Sequence, residues 1–133
     1  TMVTSLLSQG LIPVVATVGI GAAGQAYNIN ADTAAGAIAA ALGADKLVYL
    51  TDVPGVQADR DDPASLLGRI SATDVDRLVS QGVVNGGMIP KVEAAAHAVR
   101  AGVRRAHILD GRASHALLVE LFTDTGVGTM ISP

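Results

Sequence analysis

Apolar residues along the chain come in two kinds of run, some at helical spacing and some continuous, and the two alternate. TMVTSLLSQG opens with Met2, Val3, Leu6 and Leu7 near helical spacing and Gly10 as a stop. LIPVVATV (11–18) is a nearly continuous apolar run that ends in a glycine cluster. NADTAAGAIAAALG (30–43) predicts a helix with Asn30 as N-cap, Asp32 in the first turn and Gly43 as stop. KLVYLTD (46–52) is a second continuous run, halted by PGV. A polar loop containing RDDP follows and is expected to be a mobile insertion. SATDVDRLVSQG (71–82) reads as a helix with Thr73 and Asp76 at capping-box spacing. KVEAAAHAVRAG (91–102), RRAHILD (104–110), SHALLVELF (114–122) and GTMI (128–131) then read as helix, strand, helix and short strand.

Runs such as VVATV and LVYL are apolar at every position instead of alternating. Strands buried on both faces have that pattern, as in a parallel sheet covered by helices, so the expected class is α/β. With 133 residues the chain suits one domain. Half of it is hydrophobic but only 2% is aromatic, so the core must be built from Ala, Val, Leu and Ile.

Net charge is −3, which disfavours a phosphate-backbone partner, and the few aromatics give single strands nothing to stack on. Absence of cysteine excludes disulfides, thiolate catalysis and cysteine-held metal centres. No apolar run reaches the roughly 18 to 20 residues of a membrane helix, and no basic-then-apolar leader opens the chain. The expectation is a cytoplasmic protein with no nucleic-acid or membrane partner. Because the sequence opens inside what reads as a helix, a fragment of a longer protein is also expected.

In open parallel sheets, ligands bind beyond the carboxyl ends of the strands. Three clusters fall there. GIGAAG (19–24) matches G-x-G-x-x-G after a strand and, taken alone, suggests a dinucleotide-dependent oxidoreductase with a helix beginning near Ala22. Its context argues otherwise. QAYNI intervenes before the next helix, and Asp52 lies beyond the spacing of about 20 residues to the ribose-binding acid. A glycine-rich hairpin is the preferred reading.

YNINADTAAG is the second cluster. In an extended stretch Asn28 and Asn30 share one side, and Asp32 lies where a helix macrodipole favours an anion. Capping alone or ligand contact would each account for these residues.

NGGMIPKV (85–92) is the third. Gly86 and Gly87 permit unusual torsions, and Pro90 suits the first turn of a helix. Lys91, one of two lysines with Lys46, would sit in that turn against the macrodipole unless an anion met it. A solvated lysine is the plain alternative. Asp52, at the end of a buried strand, either holds a nucleotide group or initiates its turn. No P-loop and no nucleophile elbow is present. His97, His107 and His115 lack zinc-site spacing, and no metal site is assigned.

YNINAD, LTDVPGV, GGMIPKVEAA and HILDGRASHALLVELFTDTGVGTM, in that order, resemble the carboxyl-terminal half of the N-acetylglutamate kinases, within the amino acid kinase superfamily. The resemblance runs through nearly the whole chain. It implies a three-layer α/β/α sandwich with a mainly parallel sheet, of which residues 1–133 are the nucleotide-binding half. The implied reaction transfers the ATP γ-phosphoryl group, with Mg2+, to the side-chain carboxylate of N-acetyl-L-glutamate in arginine synthesis. An ionised carboxylate acceptor needs no general base, which suits a chain without a catalytic histidine.

Carried over by position, Lys91 would stabilise the transferring phosphoryl group and Asp32 would orient the catalytic lysines. Asn28 would contact acetylglutamate. Thr51, Asp52 and Gly55 would form the adenosine-binding turn, with Val83, Val84, Asn85 and Met88 as the second nucleotide segment. His107, Glu120 and Gly126 sit where arginine-inhibited members bind L-arginine; a core strand residue and an ordinary exposed acid are the plain readings of His107 and Glu120. The family's amino-terminal glycine-rich loop, first catalytic lysine and substrate-clamping arginine have no counterpart here. The intact enzyme is expected to be a homo-oligomer. The fragment alone is expected to be inactive, and a non-catalytic nucleotide- or arginine-binding module is the alternative.

Overall fold

Of the continuous apolar runs, KLVYL and HILD form the centre of the molecule and LIPVV does not. The computed structural model describes residues 1–59, 61–124 and 126–133, so Arg60 of the RDDP loop lies outside the described residues. In chain order come α1 (Met2–Ser8), β1 (Val18–Ile20), β2 (Ala26–Asn28), α2 (Ala31–Leu42) and β3 (Lys46–Thr51). A 3-10 turn (Pro63–Ser65), β4 (Arg69–Ser71), α3 (Val75–Ser80) and α4 (Met88–Arg100) follow. β5 (Arg105–Asp110), α5 (Ala116–Phe122) and β6 (Thr129–Ser132) complete the order.

The main sheet runs β3-β5-β6-β4. β3 pairs with β5 in parallel and β4 with β6 in parallel, while β5 and β6 are antiparallel. The α/β class is as expected, with one antiparallel seam in the mostly parallel sheet. β5 explains the layering, because alternate residues point to opposite faces. Ala106 and Ile108 join the core with α4, whereas His107 reaches Glu120 of α5 on the other face.

With almost no aromatics, close approach of small residues fills the core. Val92, Ala95, Ala96 and Ala98 of α4 are fully buried. Gly36 of α2 meets that helix so closely that a Cβ there would lie 3.7 Å from the Ala98 Cβ. Asn30 caps α2 by accepting from the Thr33 N–H at 3.0 Å, and Gly43 ends it in the left-handed conformation, both as expected.

Three expectations need correction. LIPVVATV is a buried strand in neither sense. Val18 alone enters the short β1, and Ile12 and Val14 are 91% and 94% exposed. Continuous apolarity signals a surface that wants cover, and among the described residues nothing covers this one. Second, Thr73 is not a helix cap. Its hydroxyl meets Ser71 Oγ at 2.8 Å, and α3 starts at Val75 behind Asp74. Ser71, the first residue of that segment, is instead the last of β4 (Arg69–Ser71), a strand too short at three residues to leave a period in the sequence. Third, no helix begins near Ala22. β1 and β2 are an antiparallel hairpin closed by the Gly21 N–H on the Gln25 carbonyl. That removes the pyrophosphate cradle and, with it, the oxidoreductase alternative.

Candidate functional site

β3 and β5 end in register, with Thr51 beside Asp110. The chain leaves β3 through Thr51, Asp52 and Gly55 and returns to this end of the sheet at Val83 to Gly87, entering α4 at Met88. Between the two segments lies a cavity of about 370 Å³ lined by Thr51, Asp52, Gly55, Val83, Val84, Asn85, Met88 and Lys91, among others. All seven residues expected to contact nucleotide line it together with Lys91. The turn after β3 is pinned from below. Buried Thr129 accepts the Val56 N–H at 2.8 Å, and a Cβ on Gly55, whose φ is +148°, would fall 2.6 Å from that hydroxyl.

Lys91 sits in the first turn of α4, where the macrodipole opposes it. The anion that meets it is part of the protein. Its Nζ donates to Asp32 Oδ2 at 2.7 Å, and Asp32 lies in the first turn of α2, where a carboxylate is favoured. Both side chains keep about a fifth of their surface, 18% and 24%, and of the two Lys91 lines the cavity while Asp32 stands behind it. Below Lys91 is Tyr49 of β3, with the ammonium 5.9 Å from the ring centroid. Its hydroxyl donates to the Asp32 carbonyl at 2.9 Å. Burial, followed by the Asp32 charge, pushes the phenol up to about 12, so it remains a donor through neutral pH.

Asn28 is not brought to the cavity. It is exposed on β2, paired with Val18, two residues before the cap of α2.

A second cavity of about 520 Å³ opens at the other end of the sheet, where Lys46 and Arg105 begin β3 and β5. His107, Glu120 and Gly126 line it, with Arg69. Glu120 is not an ordinary exposed acid, because its side chain is 5% exposed. His107 Nδ1 lies 2.8 Å from Oε1, and Oε2 accepts the Val127 and Gly128 N–H groups at 2.7 and 3.1 Å. Burial pushes the carboxyl up, but the His107 and backbone hydrogen bonds outweigh it and leave it below the usual range. His107 Nε2 is buried without a protein partner.

Among the described residues no helix is long and apolar enough to cross a membrane, and no group of three His, Asp or Glu could hold a metal.

The sequence profile of the amino acid kinase family matches residues 2–110. The chain belongs to the amino acid kinase family. Acetylglutamate kinase of Pelotomaculum thermopropionicum is 55% identical over 130 residues, which are 98% of this chain and 44% of that protein. Acetylglutamate kinase of Symbiobacterium thermophilum is 56% identical, again over 98% of this chain and 44% of the relative. The chain therefore spans less than half the length of these relatives. Among solved structures, the N-acetylglutamate synthase of Neisseria gonorrhoeae, complexed with coenzyme A and L-arginine, superimposes with a TM-score of 0.88 at 32% identity. That match covers 98% of this chain and 30% of the synthase chain.

Within this amino acid kinase chain, sequence reasoning overlooked two residues that build the site. Thr129 looked like one position of a short strand, and only the fold carries it under the turn after β3. Tyr49 read as an apolar strand residue. The available signal was its hydroxyl, which a buried tyrosine normally pairs.

Proposed function

We propose that this chain is the nucleotide-binding half of an acetylglutamate kinase, an enzyme that moves the γ-phosphoryl group of ATP to the side-chain carboxylate of N-acetyl-L-glutamate. The observation that carries the reading is Lys91, ion-paired to Asp32, on the wall of the 370 Å³ cavity. Similarity to two acetylglutamate kinases over 98% of the chain supplies the substrate class.

Phosphoryl transfer to an ionised carboxylate asks the protein for alignment and for charge placed where charge develops. The exit from β3 and the segment 83–88 would grip the nucleoside. Lys91 would then meet the transferring phosphoryl group, with Asp32 fixing the direction of its ammonium. Asn28, beside the start of α2, would contact acetylglutamate when that substrate and the rest of the enzyme are in place. Mg2+ fits as the companion of the phosphates, since it keeps waters and takes only one or two carboxylates, and Asp52 lines the cavity. When bound it would neutralise charge on the phosphates.

His107, Glu120 and Gly126 form the site we assign to L-arginine. Lys46, Arg69 and Arg105 suit its carboxylate, and Glu120 suits its guanidinium. Glu120 Oε2 already holds two N–H groups, so arginine would have to displace them.

Catalysis calls for the part of the relatives that this chain does not span, and the exposed run from Leu11 to Val18 offers that part an apolar face. The test is a titration of the 133-residue chain with MgADP, followed by amide NMR. Weak binding that shifts Thr51, Asp52 and residues 83–88 is expected, with no phosphorylation of acetylglutamate. Turnover by this chain alone, or no shift at millimolar nucleotide, would overturn the assignment.

A further inference from the structure

We infer that Tyr49 is the positioning residue of the Lys91–Asp32 pair, its ring seating the ammonium and its hydroxyl holding the backbone of Asp32. This deepens the kinase reading and rests on it.

Three observations converge. Tyr49 is 4% exposed, so its ring cannot swing away without opening the core between β3 and α2. The Lys91 ammonium lies over that ring at 5.9 Å, within the range where the ring's negative face attracts a cation. The hydroxyl reaches the Asp32 carbonyl at 2.9 Å, so one side chain touches both partners of the ion pair, through different atoms.

Gly36 makes the arrangement possible. A glycine inside a helix costs about 1 kcal/mol relative to alanine. Here a Cβ at Gly36 would lie 3.2 Å from the Tyr49 hydroxyl, tighter than ordinary contact. The bare backbone leaves the hydroxyl room to meet a carbonyl one turn earlier in α2. Since Lys91 and Asp32 both sit on first helical turns, where the backbone is least constrained, an anchor rooted in the central sheet holds the two turns in register.

The chain provides a direct probe, because its only lysines are Lys46 and Lys91. Lys46 points to the opposite face of β3 from Tyr49 and serves as an internal reference. The folded 133-residue chain is labelled with limiting acetic anhydride, and the Lys91 to Lys46 ratio is read by peptide mass spectrometry. Tyr49→Leu should raise that ratio about two- to fivefold, the equivalent of one cation–aromatic contact. Tyr49→Phe keeps the ring and should give a smaller rise, and Asp32→Asn, as positive control, a rise at least as large as Tyr49→Leu.

An unchanged ratio in folded Tyr49→Leu, with Asp32→Asn responding, would overturn the inference. Should Tyr49→Leu fail to fold, Tyr49→Phe decides: it keeps the ring and its packing, so a raised ratio reports the lost hydroxyl bond to the Asp32 carbonyl and an unchanged ratio overturns the inference. The readout involves no nucleotide. A chain that never binds ATP would sink the kinase reading and leave the role of Tyr49 to be judged by labelling.

Discussion

The Lys91 ammonium and the Asp32 carboxylate meet at 2.7 Å across a separation of 59 residues. Each stands on the first turn of a different helix, and α2 and α4 pack together through Gly36, Ala94 and Ala98. Asp32 is placed well for its own helix and Lys91 poorly for its own. The pair therefore uses a favourable charge on α2 to hold an unfavourable one on α4, aimed into a cavity.

If that charge serves phosphoryl transfer, its removal should affect chemistry more than binding. In a chimera carrying residues 1–133 in place of the matched segment of the Pelotomaculum thermopropionicum enzyme, Lys91→Ala should lower kcat by about 10²- to 10³-fold. KM for ATP should change by only severalfold, since the proposed nucleoside-binding segments lie elsewhere in the cavity. Stability should fall by no more than about 1 kcal/mol, because the pair is partly solvated. An unchanged kcat would remove Lys91 from the mechanism.

Glu120 predicts a pH dependence of stability. Its folded carboxyl titrates below the ordinary value, so the folded state favours the ionised form. The contribution is full above the ordinary glutamate range, near pH 4.5, and is lost as pH falls through the lowered folded value. Glu120→Gln should cost about 1–3 kcal/mol at neutral pH, where it breaks a buried cluster. The same variant should flatten the loss of stability between pH 5 and 3, measured by urea unfolding. A slope identical to that of the parent chain would contradict the clamp seen at His107, Val127 and Gly128.

Much of this was legible in the sequence, and what was not has physical causes. Asn30, Gly43 and the continuous run of β3 are local signals, and the structure follows them. The nucleotide segments were placed by resemblance to a family, and the fold brings seven of those residues to one cavity. Burial was not legible for LIPVVATV, because apolarity states a demand for cover without saying where the cover is. Nor could spacing foresee that Glu120 is enclosed, since its N–H partners come from a loop after its own helix. Tyr49 went unread because strand periodicity treats it as one more apolar position.

The arginine assignment carries a structural requirement. A bidentate guanidinium would take both oxygens of Glu120, one of which holds the Val127 and Gly128 N–H groups. Titration of L-arginine should therefore perturb the amides of 126–128 and His107, and raise hydrogen exchange at 127 and 128. Glu120→Gln should weaken binding at least tenfold, the loss of a charge-assisted pair of about 1.5–3 kcal/mol. Binding with unperturbed 127 and 128 amides would place arginine elsewhere.

The glycines at the sheet offer a graded test of how tightly this end is built. Gly128 packs against β5 so closely that an added Cβ would collide with the Ile108 carbonyl, which is backbone and cannot step aside. Gly24, in the hairpin turn, has a φ of +82° and open space around it. Gly68 has neither a left-handed torsion nor a neighbour within 4 Å. Alanine at Gly68 should be neutral or slightly stabilising, by up to about 1 kcal/mol, through the unfolded chain. Alanine at Gly24 should cost about 1–2 kcal/mol for the torsion alone. Alanine at Gly128 should cost about 1–3 kcal/mol through overpacking, and it should also shift the His107 and Glu120 resonances, because the Gly128 N–H is part of their cluster. Thermal unfolding of the three variants gives the ranking. If Gly128→Ala proved as stable as Gly68→Ala, the β6 strand could not lie against Ile108 as described, and the Glu120 clamp would go with it.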